Sequence, residues 1–335
     1  MRPLDQQVIV ITGASSGIGR CTAIEVAKRG AKTVLAARGV EALETARQEI
    51  EAAGGEALVV PTDVADYGQV EALGQRAVER FGRIDTWFNN AGVAVIAEFT
   101  QTTPAEFRQI VDINLMGEVY GTMVALRLMS EQGGTIINMA SVEGERSLPL
   151  HAAYAAAKHG VQGFSEALRV ELEHNKTPVR VTVIKPASID TPFFQHARTK
   201  LGVQPRPVPP VYDPQLVAEA VLRAAVEPTR DLTVGGFGAM LGTTEKLSPR
   251  LLDLQMKLLG YPTQETDEPK AETAPDNLFA PSPGPGTIRG GWNGRRASLY
   301  TTLQLRPGLR RAAMSGAALL GFAFARARTR DNGRR

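Results

Sequence analysis

Sulfur and aromatic surface are both scarce in this chain. Of 335 residues only Cys21 is a cysteine, and aromatics make up 6 %. A single cysteine excludes an intramolecular disulfide framework and fits a reducing compartment, so a cytoplasmic location is expected. No run of about eighteen apolar residues occurs, so no ordinary membrane-spanning helix is expected. The strand pattern begins at Val8, too early for a signal peptide to precede it. No metal-ligating set is read.

Charge is scarce only in the net. The whole chain carries +3, yet residues 289–335 hold eleven arginines, no lysine and one acid, Asp331. That tail is +10 and the remainder −7. Such asymmetry can mark a tail that touches an anionic partner.

Apolar strands alternate with helical patterns of ten to twenty residues, which indicates βαβ units and a parallel sheet. The expected fold is α/β, a single doubly wound parallel-sheet Rossmann domain over 1–245. An extra helix follows at 246–260. A Pro/Gly-rich linker runs over 261–296, too poor in apolar residues to order itself. An Arg-rich tail ends the chain over 297–335, with a short apolar helix at Ala312–Ala325. Fourteen helical residues cover about 21 Å, less than the roughly 30 Å hydrocarbon core. That segment can lie in a membrane interface, pack on another subunit or be a weakly ordered tail. Nucleic-acid binding is not expected, since no recognition module accompanies the arginines.

The chemistry is announced by three residues. Tyr154 and Lys158 stand four apart, and Ser141 lies thirteen before the tyrosine. A phenol has an unperturbed pKa of about 10. An ammonium on the same helix face favours the phenolate, and a serine hydroxyl can hold a carbonyl or alcohol oxygen. At the N-terminus, Val8–Ile11 reads as a buried strand and leads into Thr12-Gly13-Ala14-Ser15-Ser16-Gly17-Ile18-Gly19, with a helical pattern after it. Strand, glycine-rich turn and helix make a phosphate site. The next strand closes on Arg38, with no Asp or Glu between 32 and 40. A guanidinium there suits the 2′-phosphate of NADP, where an acid would suit NAD. NADP(H) is therefore favoured over NAD(H), and acceptance of both stays open.

These residues resemble the classical branch of the short-chain dehydrogenase/reductase superfamily over roughly residues 5–240. The motifs are Thr12-Gly13-x-x-x-Gly17-x-Gly19, Asp63-Val64, Asn89-Asn90-Ala91-Gly92, Asn114, Ser141, Tyr154-x-x-x-Lys158 and Pro186-Ala187-Ser188-Ile189-Asp190-Thr191. The resemblance implies a catalytic set of Asn114, Ser141, Tyr154 and Lys158, with Ser141 and Tyr154 meeting substrate. It implies cofactor contacts at Gly13, Ser15, Ser16, Gly17, Ile18, Gly19, Arg38, Asp63, Val64, Asn90, Ala91, Gly92, Tyr154, Lys158, Pro186, Ile189 and Thr191. Asn114 would hold a water that links Lys158 to solvent. The chain departs from the family at Ala187, where glycine is usual, so a methyl group can crowd the nicotinamide. A homo-oligomer, dimer or tetramer, is also implied.

Other residues read more plainly. Glu143 and Glu145 are expected as exposed loop charges, and His151 as lining a pocket or lying at the surface. Arg198, Lys200 and Arg206 are expected in solvent. Cys21 reads as packing, although a helix start can lower a thiol pKa. The loop Phe193–Tyr212 carries apolar side chains and, with Pro214, five prolines. That suggests a hydrophobic ketone, aldehyde or alcohol. The expected function is NADP(H)-dependent interconversion of a carbonyl and an alcohol, with the tyrosine exchanging the proton. The alternative is a nucleotide-sensing or scaffold protein on the same fold, whose basic tail recruits a partner or a membrane.

Overall fold

A computed structural model describes residues 1–306, 308 and 309. Seven strands form one parallel sheet: β1 (Val8–Thr12), β2 (Lys32–Ala37), β3 (Glu56–Pro61), β4 (Thr86–Asn89), β5 (Gly134–Met139), β6 (Val179–Pro186) and β7 (Asp231–Val234). Their order is β7-β6-β5-β4-β1-β2-β3. The sheet changes direction of growth between β1 and β4, and a doubly wound sheet opens its ligand crevice at that switch point, beyond the carboxyl ends of the strands.

Consecutive strand side chains face opposite ways, and both faces are dry. Val8 and Val10 enter one core while Ile9 and Ile11 enter the other. This is why β1 reads as an uninterrupted apolar run. The helices are α1 (Gly17–Ala27), α2 (Val40–Ala52), α3 (Tyr67–Phe81), α4 (Pro104–Val111), α5 (Gly117–Met129), α6 (Ala152–His174), α7 (Phe193–His196), α8 (Pro214–Val226), α9 (Gly236–Leu247), α10 (Pro249–Leu259) and α11 (Leu299–Leu305). Residues of α1, α2 and α8 bury Val26, Leu43, Ile50 and Val217 against one face. Residues of α3 to α6 bury Leu73, Ile110, Val124 and Leu172 against the other. Each such side chain contributes about 1.5–3 kcal/mol when fully buried.

Local signals set the helix ends near the site. Thr103 and Glu106 form a reciprocal capping box on α4, with Pro104 in its first turn, which satisfies donors that would otherwise be orphaned. Between α4 and α5 the chain makes a π-helical turn, Asp112–Met116. Such turns insert a residue and re-aim side chains, and Asn114 sits within this one.

The segment expected as a linker is laid against the body. Residues 265–269 pair antiparallel with 203–205, and Leu278 is fully buried. The Asp190 carboxylate accepts from the backbone amides of Gly290, Trp292 and Gly294 at 2.9–3.1 Å. Asp213 pairs with Arg289 at 2.8 Å. The expectation of disorder rested on apolar content, but charged side chains of the body order this stretch by bonding its backbone. The extra helix expected at 246–260 is α10, separated from α9 at Ser248. The apolar stretch Ala312–Ala325 lies outside the described residues. Among the described residues no helix is long and apolar enough to cross a membrane.

Candidate active site

One cleft of about 760 Å³ gathers residues from the carboxyl ends of the strands. At one end lies the loop between β1 and α1. Gly13 and Gly17 have φ of +67° and +54°, and a Cβ on Gly13 would stand 2.8 Å from Ala91 Cα. Only glycine adopts that backbone at little cost. Gly19 serves differently: a Cβ there would meet the Gly13 carbonyl at 2.2 Å, so it permits close packing of α1 and leaves the cleft to its neighbours. Asn90 donates to the carbonyls of Thr12 and Gly13 at 2.9 and 3.3 Å, tying β4 to the loop. Backbone-lined concavity and a helix N-terminus fit a pyrophosphate.

Ser15, Ser16, Gly17, Ile18, Arg38, Asp63, Val64, Ala91, Gly92, Pro186, Ile189 and Thr191 line the cleft. The Ala187 methyl lies in the cleft wall. It is accommodated by Gly235, where a Cβ would stand 2.8 Å from it. The dimensions and donors suit a dinucleotide.

The stretch 277–287 crosses this end. Thr287 O accepts from the Gly17 amide at 2.8 Å, and Arg20 donates to the carbonyls of Pro285 and Gly286. The Arg38 guanidinium donates to the Asn277 and Leu278 carbonyls. Burial lowers the Arg38 pKa, while Asp63 opposes that shift.

At the other end stand Ser141, after β5, and Tyr154 and Lys158, one turn apart on α6. Ser141 Oγ accepts from the Glu143 amide at 3.1 Å, which leaves its own proton free to donate. Tyr154 packs edge-on against Phe193 and His151, with centroids 5.7 and 6.2 Å away. Burial first, then the Glu143 charge, pushes its phenol above the ordinary value, while a hydrogen bond with Ser141 pulls it back. The Lys158 ammonium beside it is itself paired. Its Nζ donates to Met139 O at 2.6 Å and to Glu118 Oε1 at 2.9 Å. Asn114 is fully buried and outside the cleft lining. Its amide accepts from the Val93 N–H at 2.9 Å and donates to the Val93 carbonyl at 2.8 Å.

Several plainer expectations are corrected. Glu143 is buried and holds His151 Nδ1 at 3.0 Å. Glu145 holds Lys185. Arg198 and Lys200 pair with Glu106, and Arg198 also with Asp276. Arg206 donates to the Thr263 carbonyl. Glu143 finds its partner eight residues on, and the other loop charges find theirs on segments distant in sequence. Burial raises the Cys21 thiol to about 12, so the helix start does not activate it.

Two groups of site residues were missed from sequence. Phe237, Met240, Leu241, Leu252 and Met256 of α9 and α10 give the cleft an apolar wall. The helical spacing of 247–259 was legible, but not its target. Glu118 was also missed; its one signal is an acid in an otherwise apolar stretch, four residues after Asn114.

A short chain dehydrogenase family profile matches residues 7–202. The uncharacterized oxidoreductase YxnA of Bacillus subtilis is 38 % identical over 322 residues, spanning 94 % of this chain and 90 % of the relative. Levodione reductase of Leifsonia aquatica is 41 % identical over 199 residues, or 58 % of this chain and 74 % of that protein. A solved short chain dehydrogenase/reductase from Burkholderia phymatum in complex with NAD superposes with a TM-score of 0.67 at 29 % identity, covering 76 % of this chain and 97 % of that one.

Proposed function

The chain belongs to the short-chain dehydrogenase/reductase family, an NAD(P)-dependent oxidoreductase, and from that premise we propose that it interconverts a carbonyl and an alcohol on a hydrophobic small molecule, with NADP(H) favoured. What carries the reading is the convergence of Ser141, Tyr154 and Lys158 in the same cleft as the glycine-rich loop. The bound nicotinamide supplies or accepts the hydride. Ser141 donates its free proton to the substrate oxygen, holding it where negative charge develops. Tyr154 donates its proton to that oxygen in reduction, becoming the phenolate, and as the phenolate takes the proton back in oxidation. Lys158 would hold the nicotinamide ribose with its remaining donor, and Asn114 shapes the cleft through Val93. The apolar wall of α9 and α10 supports a hydrophobic substrate.

A panel of ketones and aldehydes, followed by loss of NADPH absorbance, tests this. Turnover of apolar carbonyls is expected, and inertness towards the whole panel and the matching alcohols with both cofactors refutes it. The cofactor preference rests on Arg38, a cation at the ribose end of the cleft. A charge-assisted hydrogen bond is worth about 1.5–3 kcal/mol. Arg38→Asp is therefore expected to cut the NADPH-to-NADH ratio of kcat/KM by about 10–100-fold. Loosening of the crossing segment affects both cofactors alike, so the ratio isolates the phosphate contact. Exposed Met123 on α5 and Val170 on α6 support a homo-oligomer through these helices, measurable by light scattering.

A further inference from the structure

We propose that Glu118 is a positioning residue that clamps Lys158 and, through its charge, sets the pH at which Tyr154 exchanges its proton. The proposal rests on the reading of Tyr154 as the proton donor. Glu118 opens α5 one turn after Asn114, and both groups of its pair with Lys158 are sealed, their side chains 2 % and 3 % exposed. The ammonium directs two of its three donors to Glu118 Oε1 and Met139 O. Glu118 Oε2 is buried without a partner. A carboxylate this dry is retained only at a cost in desolvation, so its placement against the lysine is not a surface accident.

The consequence is electrostatic. Lys158 Nζ lies 5.8 Å from the Tyr154 ring centroid, close enough for a bare ammonium to favour the phenolate. Glu118, 2.9 Å from that ammonium, opposes its field, and its own charge raises the phenol's pKa. Burial raises the Glu118 carboxyl and Lys158 opposes the rise. Ser141, Glu143 and His151 also face Tyr154, and from α7 the neutral Phe193 packs edge-on against it.

Glu118→Gln keeps the shape and removes the charge. Removing a nearby anion and freeing a cation both lower the phenol pKa, by on the order of one to two pH units. Two readouts should move together. The Tyr154 titration, taken as tyrosinate absorbance minus that of Tyr154→Phe, should shift to lower pH. The alkaline limb of kcat for carbonyl reduction, which needs the protonated phenol, should shift down by the same amount. If Glu118→Gln fails to fold, Glu118→Asp, which withdraws the carboxylate by one methylene, should give a smaller downward shift. An unmoved titration in a folded variant overturns the proposal, even if the rate falls. The absorbance titration needs no turnover, so inertness of the parent enzyme refutes the proposed function without touching this result.

Discussion

Tyr154→Phe is expected to reduce turnover by at least about 10³-fold while cofactor binding stays near parental. General acid–base groups typically contribute 10²–10⁴-fold, and a factor of about 10³ corresponds to roughly 4 kcal/mol of barrier. Phenylalanine retains the edge-on packing against Phe193 and His151, so the cleft keeps its shape and only the transferable proton is lost. Ser141 still holds the substrate oxygen, which leaves KM little changed. The measurement pairs kcat with a titration of reduced-cofactor fluorescence. Retained turnover would falsify the proton-donor role, and lost cofactor binding would show that the tyrosine instead holds the dinucleotide.

Lys158→Met is expected to destabilise the fold by about 3–5 kcal/mol at neutral pH and to abolish turnover as well. The loss comes less from the missing contact than from what it leaves behind, a buried carboxylate with no counter-charge. The pH dependence follows from that. Without its lysine, Glu118 has a folded-state pKa above the unfolded value of about 4.3. A raised carboxyl pKa penalises folding increasingly as pH climbs from the unfolded value through the folded one, and imposes no penalty below both. The gap in Tm between parent and variant should therefore be wide at pH 8 and narrow towards pH 4. Lys158→Met/Glu118→Leu should recover most of the stability and none of the activity, since replacing both partners of a buried pair is often neutral. A gap independent of pH would mean that the lysine contributes by packing alone.

Much of this was legible along the chain. Strand β1 announced itself through Val8–Ile11, because a strand covered on both faces must be apolar without interruption. The glycines at 13 and 17 were readable because a left-handed backbone has few alternatives to glycine. Ser141, Tyr154 and Lys158 could be grouped because helical spacing alone puts the last two on one face.

Other features were decided in three dimensions. Whether Lys158 faces the phenol with its charge free depended on Glu118, forty residues earlier and on another helix. The 261–296 stretch looked unable to order itself, yet Arg20, Arg38, Asp190 and Asp213 secure its backbone across the nucleotide end of the cleft. Arg38 itself, read from its strand as a phosphate ligand, also grips that stretch. The division has a physical basis: local backbone preference and periodic burial act between neighbours in sequence and can be read from it. Charge pairing in a dry interior acts between neighbours in space, and only the folded sheet with its packed helices brings those together.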